Sequence, residues 1–191
     1  DKSILFLIGT ILLFLFLSSL GPPTDADSLD YHLGVPLAWI RHGGFVPSLD
    51  WLHYRLVGIG ESINLFGLIC GTDIFGQLIQ YSGLLIIWHS LSKFANGPNQ
   101  RILLALLIFS VPLNVWLVST QKPLLFPSAI MISGFCIYIQ QKSSFNLFYY
   151  TVATLFIIYS IACKYSFIIP GSIMILFGLW KIKIYNLYHH Y

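Results

Sequence analysis

Three aspartates stand within six residues, and carboxylates spaced this closely suit acid–base chemistry. They are Asp25, Asp27 and Asp30, and Tyr31 and His32 follow directly. A carboxylate held within hydrogen-bond reach of a hydroxyl can act as its general base. Each aspartate taken alone also fits a helix N-cap or a solvated side chain. A divalent cation could bind here as well, but its ligation needs more oxygen ligands than this run supplies.

Two cations further along the chain suit an anionic ligand such as a phosphate. Arg55 offers bidentate hydrogen bonds, and Lys164 acts as a point charge. Lys164 could instead extend its ammonium group to a membrane interface. Glu61 stands among apolar neighbours, where a carboxylate needs a partner, and Arg55 or Arg41 is the expected one.

The composition indicates an integral membrane protein. Of the 191 residues, 57% are hydrophobic and 9% are charged, whereas a soluble domain carries about 25% charged residues. The apolar content excludes a disordered chain, and three cysteines are too few for a disulfide scaffold. A net charge of +3 is too small to indicate nucleic-acid binding.

The charges are distributed unevenly along the chain. Six of the seven acidic residues lie between Asp25 and Asp73, and no acid follows them. Seven of the ten basic residues lie after Asp73. The chain therefore contains one acidic island, residues 25–73, inside a basic membrane protein.

Uncharged apolar runs predict six spanning helices, since about 20 residues cross the hydrocarbon core of a bilayer. The first is a retained helix rather than a signal peptide, because its cleavage site is poor and its apolar run is long. The last two could form one kinked or re-entrant unit around Lys164 and Pro170. The predicted fold is all-α and polytopic, a single transmembrane domain over 1–191 with a large outer loop of amphipathic helices at 21–73. The predicted spans are 3–20, 74–92, 102–121, 123–141, 143–163 and 165–180.

The orientation follows from the basic residues, which favour short loops on the inner side of a membrane. With the N-terminus inside, the inner segments hold six basic residues and the outer segments hold four. The acidic island is then outside, and in a bacterium the membrane is expected to be the inner (plasma) membrane. The inner basic residues are Lys2, Lys93, Arg101, Lys142, Lys181 and Lys183.

The outer loop is predicted to begin with two short helices. Pro22 and Pro23 end the first spanning helix, and an apolar stripe then recurs at helical spacing. Pro36 is expected to divide the segment, and Gly43 to end its second helix. This pattern predicts a segment that lies on the outer membrane surface with its polar face toward a cavity. The stripe consists of Leu29, Leu33, Leu37 and Ile40.

This order of features resembles the plan of GT-C membrane glycosyltransferases, in the branch of protein mannosyltransferases and aminoarabinose transferases. The run Asp-Ser-Leu-Asp-Tyr-His-Leu at 27–33 fits the loop motif of that family, with Asp27 in the key position. Leu124 stands where the family frequently has an aspartate, and six spans are fewer than usual. The chain is therefore expected to be an N-terminal fragment or a truncated member. Further similarities lie at 36–44, 61, 71–73, 119–123 and 163–166.

The resemblance implies that a sugar moves, with inversion, from a polyprenyl-phosphate donor to an acceptor hydroxyl. Asp27 would be the general base, with Asp30 or Asp25 as its substitute. Cations would stabilise the charge that develops on the leaving phosphate. The residues implied for binding the substrate and its phosphate are Arg55, Lys164, Glu61, Tyr31 and His32.

The implied partners are the sugar donor, the lipid bilayer, and an acceptor glycan, lipid or protein. No metal ligands are assigned, and a divalent cation is left open as a cofactor. Two other interpretations share these features: a non-catalytic or truncated transferase-like membrane protein, and a transporter subunit with an acidic outer vestibule. A transporter needs ionisable residues at mid-membrane depth or internal repeats, and the spans hold little beyond His89 and Asn114.

Overall fold

A computed structural model describes residues 2–45, 54–55, 57–141 and 146–189, with the backbone alone for 184–189. The described residues are helical apart from turns and connections, which confirms the predicted all-α class. Lys142 and the start of the fifth predicted span lie outside the described residues. The helices are α1 Lys2–Ser19, α2 Gly34–His42, α3 Glu61–Ile69, α4 Phe75–Ser92, α5 Pro98–Phe109, α6 Pro112–Val118, α7 Leu125–Gln140, α8 Leu147–Cys163 and α9 Ile168–His189.

Helices α4 and α7 run parallel through the centre of the bundle. Near their first turns, the Gln80 side-chain oxygen accepts a hydrogen bond from the Phe126 N–H at 3.1 Å. Near the last turn of α4, the Ser90 hydroxyl lies 2.8 Å from the hydroxyl of Ser133, which stands at the middle of α7. Buried side chains that lose water on packing contribute most of the stabilisation of such a bundle. The shared core of these helices includes Leu84, Ile87, Leu125 and Ala129.

Helix α8 returns antiparallel to α7, and α9 follows it. Tyr138, near the end of α7, bonds Thr154 in α8 at 2.7 Å, and Ser160 near the end of α8 donates to the Pro127 carbonyl at 2.7 Å. In α9, Lys181 Nζ donates to the Tyr138 carbonyl at 2.5 Å. The connection between α8 and α9 is extended at Lys164, as the predicted break there requires.

The helix directions give the bundle two chemically different ends. At one end lie the last turn of α1, the acidic turns that follow it, α2, α3, the start of α4 and the end of α8. At the other end lie the start of α1, the α4–α5 turn with Lys93 and Arg101, and the end of α7 beside Lys181. We call these the acidic end and the basic end.

Two helices are long and apolar enough to cross a membrane among the residues that the structure describes: Lys2–Ser19 and Tyr165–Lys183. A third candidate is the pair α5 and α6, which bend by 66° at their junction. Helix α4 has the length of a span, but Gln77 and Gln80 on its buried face make it more polar. The six spans expected from the sequence therefore stay a prediction.

The prediction of a single helix over 102–121 is wrong, because α5 ends at Phe109 and a second helix, α6, follows. Val111 is extended, with ψ 120°, and Pro112 starts α6. A residue before proline is pushed out of the helical region, and proline itself has no N–H for the preceding turn. The sequence at 111–112 thus produces two short helices where the apolar run predicted one.

The start of the acidic island is two helical pieces, as expected, but Pro36 does not separate them. A π-helical turn, Ser28–His32, ends at Leu33, and Pro36 lies in the first turn of α2, where proline is tolerated. Gly43 ends α2 with a left-handed φ of 71°, as predicted. Along both pieces the apolar stripe lies toward the outside: Leu29 is 55% exposed, whereas His32 is buried.

Candidate functional site: a polar cluster at the acidic end

Two of the predicted aspartates meet a lysine from the connection between α6 and α7. Asp27 Oδ2 lies 2.7 Å from Lys122 Nζ, and Asp25 Oδ1 lies 3.9 Å from the same nitrogen. The Asp27 side chain is 52% exposed and the Lys122 side chain 12%, so water reaches the carboxylate while the lysine is mostly buried. The ammonium group also lies 4.3 Å from the centre of the Trp116 ring, a cation–π contact that limits its position.

Asp25 has a local structural role in addition. Its Oδ1 accepts a hydrogen bond from the Ser28 N–H at 3.0 Å, at the start of the π-helical turn. The capping role considered for the aspartates therefore applies to Asp25, whereas the Asp27 side chain makes no capping bond. Single π-helical turns are frequent at functional sites because they displace side chains from their α-helical positions.

Lys122 is held in place by bonds from its own connection. The Gln121 N–H donates to Ser28 Oγ at 2.8 Å, which ties the connection to the acidic turn. The Gln80 side-chain oxygen accepts from the Leu124 N–H at 3.2 Å, which ties it to α4. Backbone donors buried in this way need acceptors, so the connection has a defined path past the aspartates.

Beneath the ion pair lies a buried polar network that joins Ser28, His32, Glu61, Asn64 and Gln121. His32 Nδ1 lies 2.7 Å from Glu61 Oε1, and these side chains are 1% and 2% exposed. Asn64 Nδ2 faces three acceptors: the His32 carbonyl at 3.0 Å, Glu61 Oε2 at 3.1 Å and the Gln121 carbonyl at 3.0 Å. One amide thus links the acidic turn, α3 and the connection that carries Lys122.

The partner of Glu61 differs from the sequence prediction. We expected Arg55 or Arg41, but the carboxylate bonds His32 and Asn64. Burial raises the pKa of Glu61, and its hydrogen bond to His32 opposes that shift. His32 Nε2 is buried without a hydrogen-bond partner among the described residues.

Lys164 lies close enough to the cluster to interact with its charges. The Ile59 N–H donates to the Ala162 carbonyl at 3.0 Å, which places the last turn of α8 against the start of α3. Burial lowers the pKa of Lys164, and the positive charge of Lys122 adds to this. Glu61 and Asp27 act in the opposite direction. Lys164 is therefore a partly desolvated cation on the same side of the protein as Asp27.

The remaining predicted residues lie around this cluster. Asp30 is exposed on the π-helical turn, and Arg55 is exposed in the short turn at 54–55. Tyr31 is half-buried, and burial, then the charges of Asp27 and Glu61, raise the pKa of Tyr31 to about 12. Its hydroxyl therefore stays protonated. Across the part of the chain that the structure describes, no three His, Cys, Asp or Glu side chains form a group that could hold a metal ion.

Sequence reasoning missed Lys122, Asn64 and Gln121 as site residues. Lys122 carried a usable signal, because 119–123 already resembled a family segment, and a lysine there lies on the same predicted side as the aspartates. Gln121 carried none, since its partner Ser28 lies 93 positions away along the chain. Asn64 lies three residues from Glu61, but its other two acceptors lie 32 and 57 positions away.

Cavity volume does not mark this cluster. A cavity of about 360 Å³ lies next to it, lined by residues that include Trp39, Ile59 and Ala162. Larger apolar cavities, of about 720 and 500 Å³, lie at the basic end. The charges of this cluster, and not the volume of the neighbouring cavity, distinguish it as a candidate site.

Gly76→Ala is expected to destabilise the protein by about 1–3 kcal/mol, the usual cost of overpacking. A Cβ at Gly76 would meet Asn64 Oδ1 and Gln121 Oε1, so both network residues would have to move. Thermal unfolding of the purified protein measures the loss. Gly9→Ala is the matched control, since nothing lies within 4 Å of a Cβ there. Equal unfolding temperatures for the two variants would contradict the close packing of the network.

The fold and this cluster define a helical protein with apolar, membrane-length helices and a charged site at one end of its bundle. A family model described as the DUF1420 N-terminal domain matches residues 2–191, and the chain belongs to this family. No curated protein and no solved structure matches the chain.

Proposed function

We propose that this chain is a membrane glycosyltransferase that moves a sugar from a polyprenyl-phosphate donor to an acceptor hydroxyl. The observation that supports this most is the ion pair between the water-accessible Asp27 and Lys122, 2.7 Å apart, with Lys164 on the same side. A carboxylate that takes a proton and cations that bind a phosphate are the two requirements of this reaction. The acceptor class is a glycan, a lipid or a protein.

In the proposed placement, α1, α4, the α5–α6 pair, α7, α8 and α9 cross the membrane. The acidic end faces outside, and the basic end, with Lys93, Arg101 and Lys181, faces inside, as the positive-inside rule favours. In a bacterium this would be the inner membrane, with the lipid-linked donor reaching the acidic end from the outer leaflet. The exposed apolar stripe that begins at Leu29 would lie in the interface of that leaflet.

The proposed reaction begins when the donor phosphate binds Lys122 and Lys164. The phosphate competes for Lys122, so Asp27 is released from its ion pair and is free to act as a base. Asp27 takes the proton of the acceptor hydroxyl, and the oxygen of that hydroxyl attacks the anomeric carbon. The bond from that carbon to the phosphate oxygen breaks, and the polyprenyl phosphate leaves with the electron pair. Attack opposite to the leaving group inverts the configuration.

Lys122→Gln is expected to lower the rate of transfer by about 10²–10³-fold, because a neutral amide stabilises the leaving phosphate less. The full chain in proteoliposomes would be given polyprenyl-phosphate mannose or polyprenyl-phosphate aminoarabinose, and the release of polyprenyl phosphate would be measured. Lys93→Gln, which removes an exposed cation at the basic end, is the control and should retain the wild-type rate.

Two results would count against the proposal. If the folded wild-type chain releases no polyprenyl phosphate from either donor, the non-catalytic interpretation of the chain is favoured. If Lys122→Gln and Lys93→Gln have the same rate, the Asp27–Lys122 pair takes no part in transfer, since many ion pairs near a protein surface have no measurable effect.

A further inference from the structure

The basic end contains a cavity that the proposed reaction does not use. Its volume is about 720 Å³, within the range of about 300–1,000 Å³ that is typical of small-ligand sites. It lies between α1, α4 and the first turns of α5. The walls are apolar and include Leu5, Ile8, Ile102 and Ala105.

Exposed polar side chains also line this cavity. Asn96, from the α4–α5 turn, and Asn99 and Arg101, from the first turn of α5, are exposed lining residues. The Trp88 indole N–H donates to the Arg101 carbonyl at 3.3 Å, so the backbone of Arg101 is fixed at the cavity wall. An apolar chamber with one cation at its mouth matches a molecule that has a hydrocarbon chain and an anionic head.

The surroundings favour a negative ligand. Lys93 is exposed at the end of α4, before the turn that leads to α5, and no acidic residue follows Asp73 in the sequence. The positive charge of Arg101 is thus not offset by a carboxylate from its own helix or its turn. Basic recesses between membrane helices on the inner side suit anionic lipid headgroups.

We propose that this cavity binds an anionic phospholipid of the inner leaflet. Its phosphate would lie at Arg101, with the amides of Asn96 and Asn99 bonding the rest of the headgroup, and one acyl chain would fill the space between α1 and α5. A second cavity, of about 500 Å³, lies on the other face of α5 and shares Ala95 with the first, so it offers room for the second chain. This inference uses the proposed membrane placement but not the transfer activity.

The net charge of the headgroup is the basis of the test. The full chain would be purified and placed in nanodiscs of equal parts phosphatidylglycerol and phosphatidylcholine, and the lipids that stay bound after detergent extraction would be counted by native mass spectrometry. We expect about tenfold enrichment of phosphatidylglycerol, which corresponds to about 1.4 kcal/mol. Arg101→Gln should reduce the enrichment to about onefold, which means no preference for phosphatidylglycerol. Arg101→Lys should retain part of the enrichment.

A second variant tests the chamber itself. Ile102→Trp fills the apolar space next to Arg101, so it should lower the total amount of bound lipid while it leaves the charge in place. Arg41→Gln, an exposed arginine at the acidic end, is the matched control and should retain the wild-type enrichment. Equal binding of the two lipids, or the same enrichment in Arg101→Gln as in the wild type, would overturn the proposal. Displacement of phosphatidylglycerol by added polyprenyl phosphate would overturn it as well.

Discussion

Asp27→Asn is expected to lower the rate of sugar transfer by about 10²–10⁴-fold, the usual contribution of a general base. An amide cannot take the proton of the acceptor hydroxyl, but its oxygen can still accept a hydrogen bond from Lys122. Because the side chain is half-exposed and makes no capping bond, the fold should not change. The measurement is kcat for polyprenyl-phosphate release in proteoliposomes, together with the unfolding temperature of each variant.

Asp73→Asn is the matched control for that experiment, since Asp73 is an exposed carboxylate before α4 at the same end of the bundle. It should retain the wild-type rate. A rate for Asp27→Asn equal to that of Asp73→Asn would remove Asp27 as the base. A larger loss in Asp30→Asn than in Asp27→Asn would assign the role to Asp30, which lies within the π-helical turn.

Asn64→Leu should cost more stability than other polar-to-apolar changes in the chain. Leucine has a similar size but no donor, so the two N–H groups that Asn64 shares among Glu61 Oε2 and the carbonyls of His32 and Gln121 are both lost. A buried acceptor left without a donor costs about 1–3 kcal/mol. The loss of two donors predicts a loss of about 2 kcal/mol or more in the free energy of unfolding, measured by denaturation of the purified protein.

The control for this change is Asn114→Leu. Asn114 is half-buried and donates one hydrogen bond, to the Ile108 carbonyl at 2.9 Å, next to the α5–α6 bend. The same substitution there should cost about 0.5–1.5 kcal/mol, the net value of one hydrogen bond. If both variants lost the same free energy, the triple contact of Asn64 would be wrong. A loss of transfer in Asn64→Leu without a loss of stability would indicate a direct role for this residue.

Local features of the chain were the ones that the sequence could predict. Gly43 ends α2 because glycine adopts positive φ without strain, and this holds whatever lies around it. The acidic and basic ends follow from where charges stand between apolar runs. The bend before Pro112 was missed because the surrounding run is apolar throughout. A hydropathy value does not include the backbone hydrogen bond that proline removes from a helix.

The contacts of the site were less accessible to prediction. Asp27 and Lys122 stand 95 positions apart, and His32 and Glu61 stand 29 apart, so no local pattern connects them. The sequence indicated correctly that Glu61 needs a partner, but it favoured an arginine, Arg55 or Arg41. A buried carboxylate is stabilised as well by hydrogen bonds from side chains other than arginine, and the helix directions, which the sequence does not specify, bring His32 and Asn64 there.

The shortness of α7 and α8 has a consequence for the surrounding bilayer. They contain 16 and 17 residues, and at about 1.5 Å per residue such rods are only about 24–26 Å long. The hydrocarbon layer is about 30 Å thick, and lipids adjust to a short protein by thinning around it. In the proposed placement, hydrophobic mismatch would draw the outer leaflet toward the mouth of the charged cluster. A hydrophilic acceptor arriving from water would then have less distance to cover before it meets a sugar anchored on a prenyl tail.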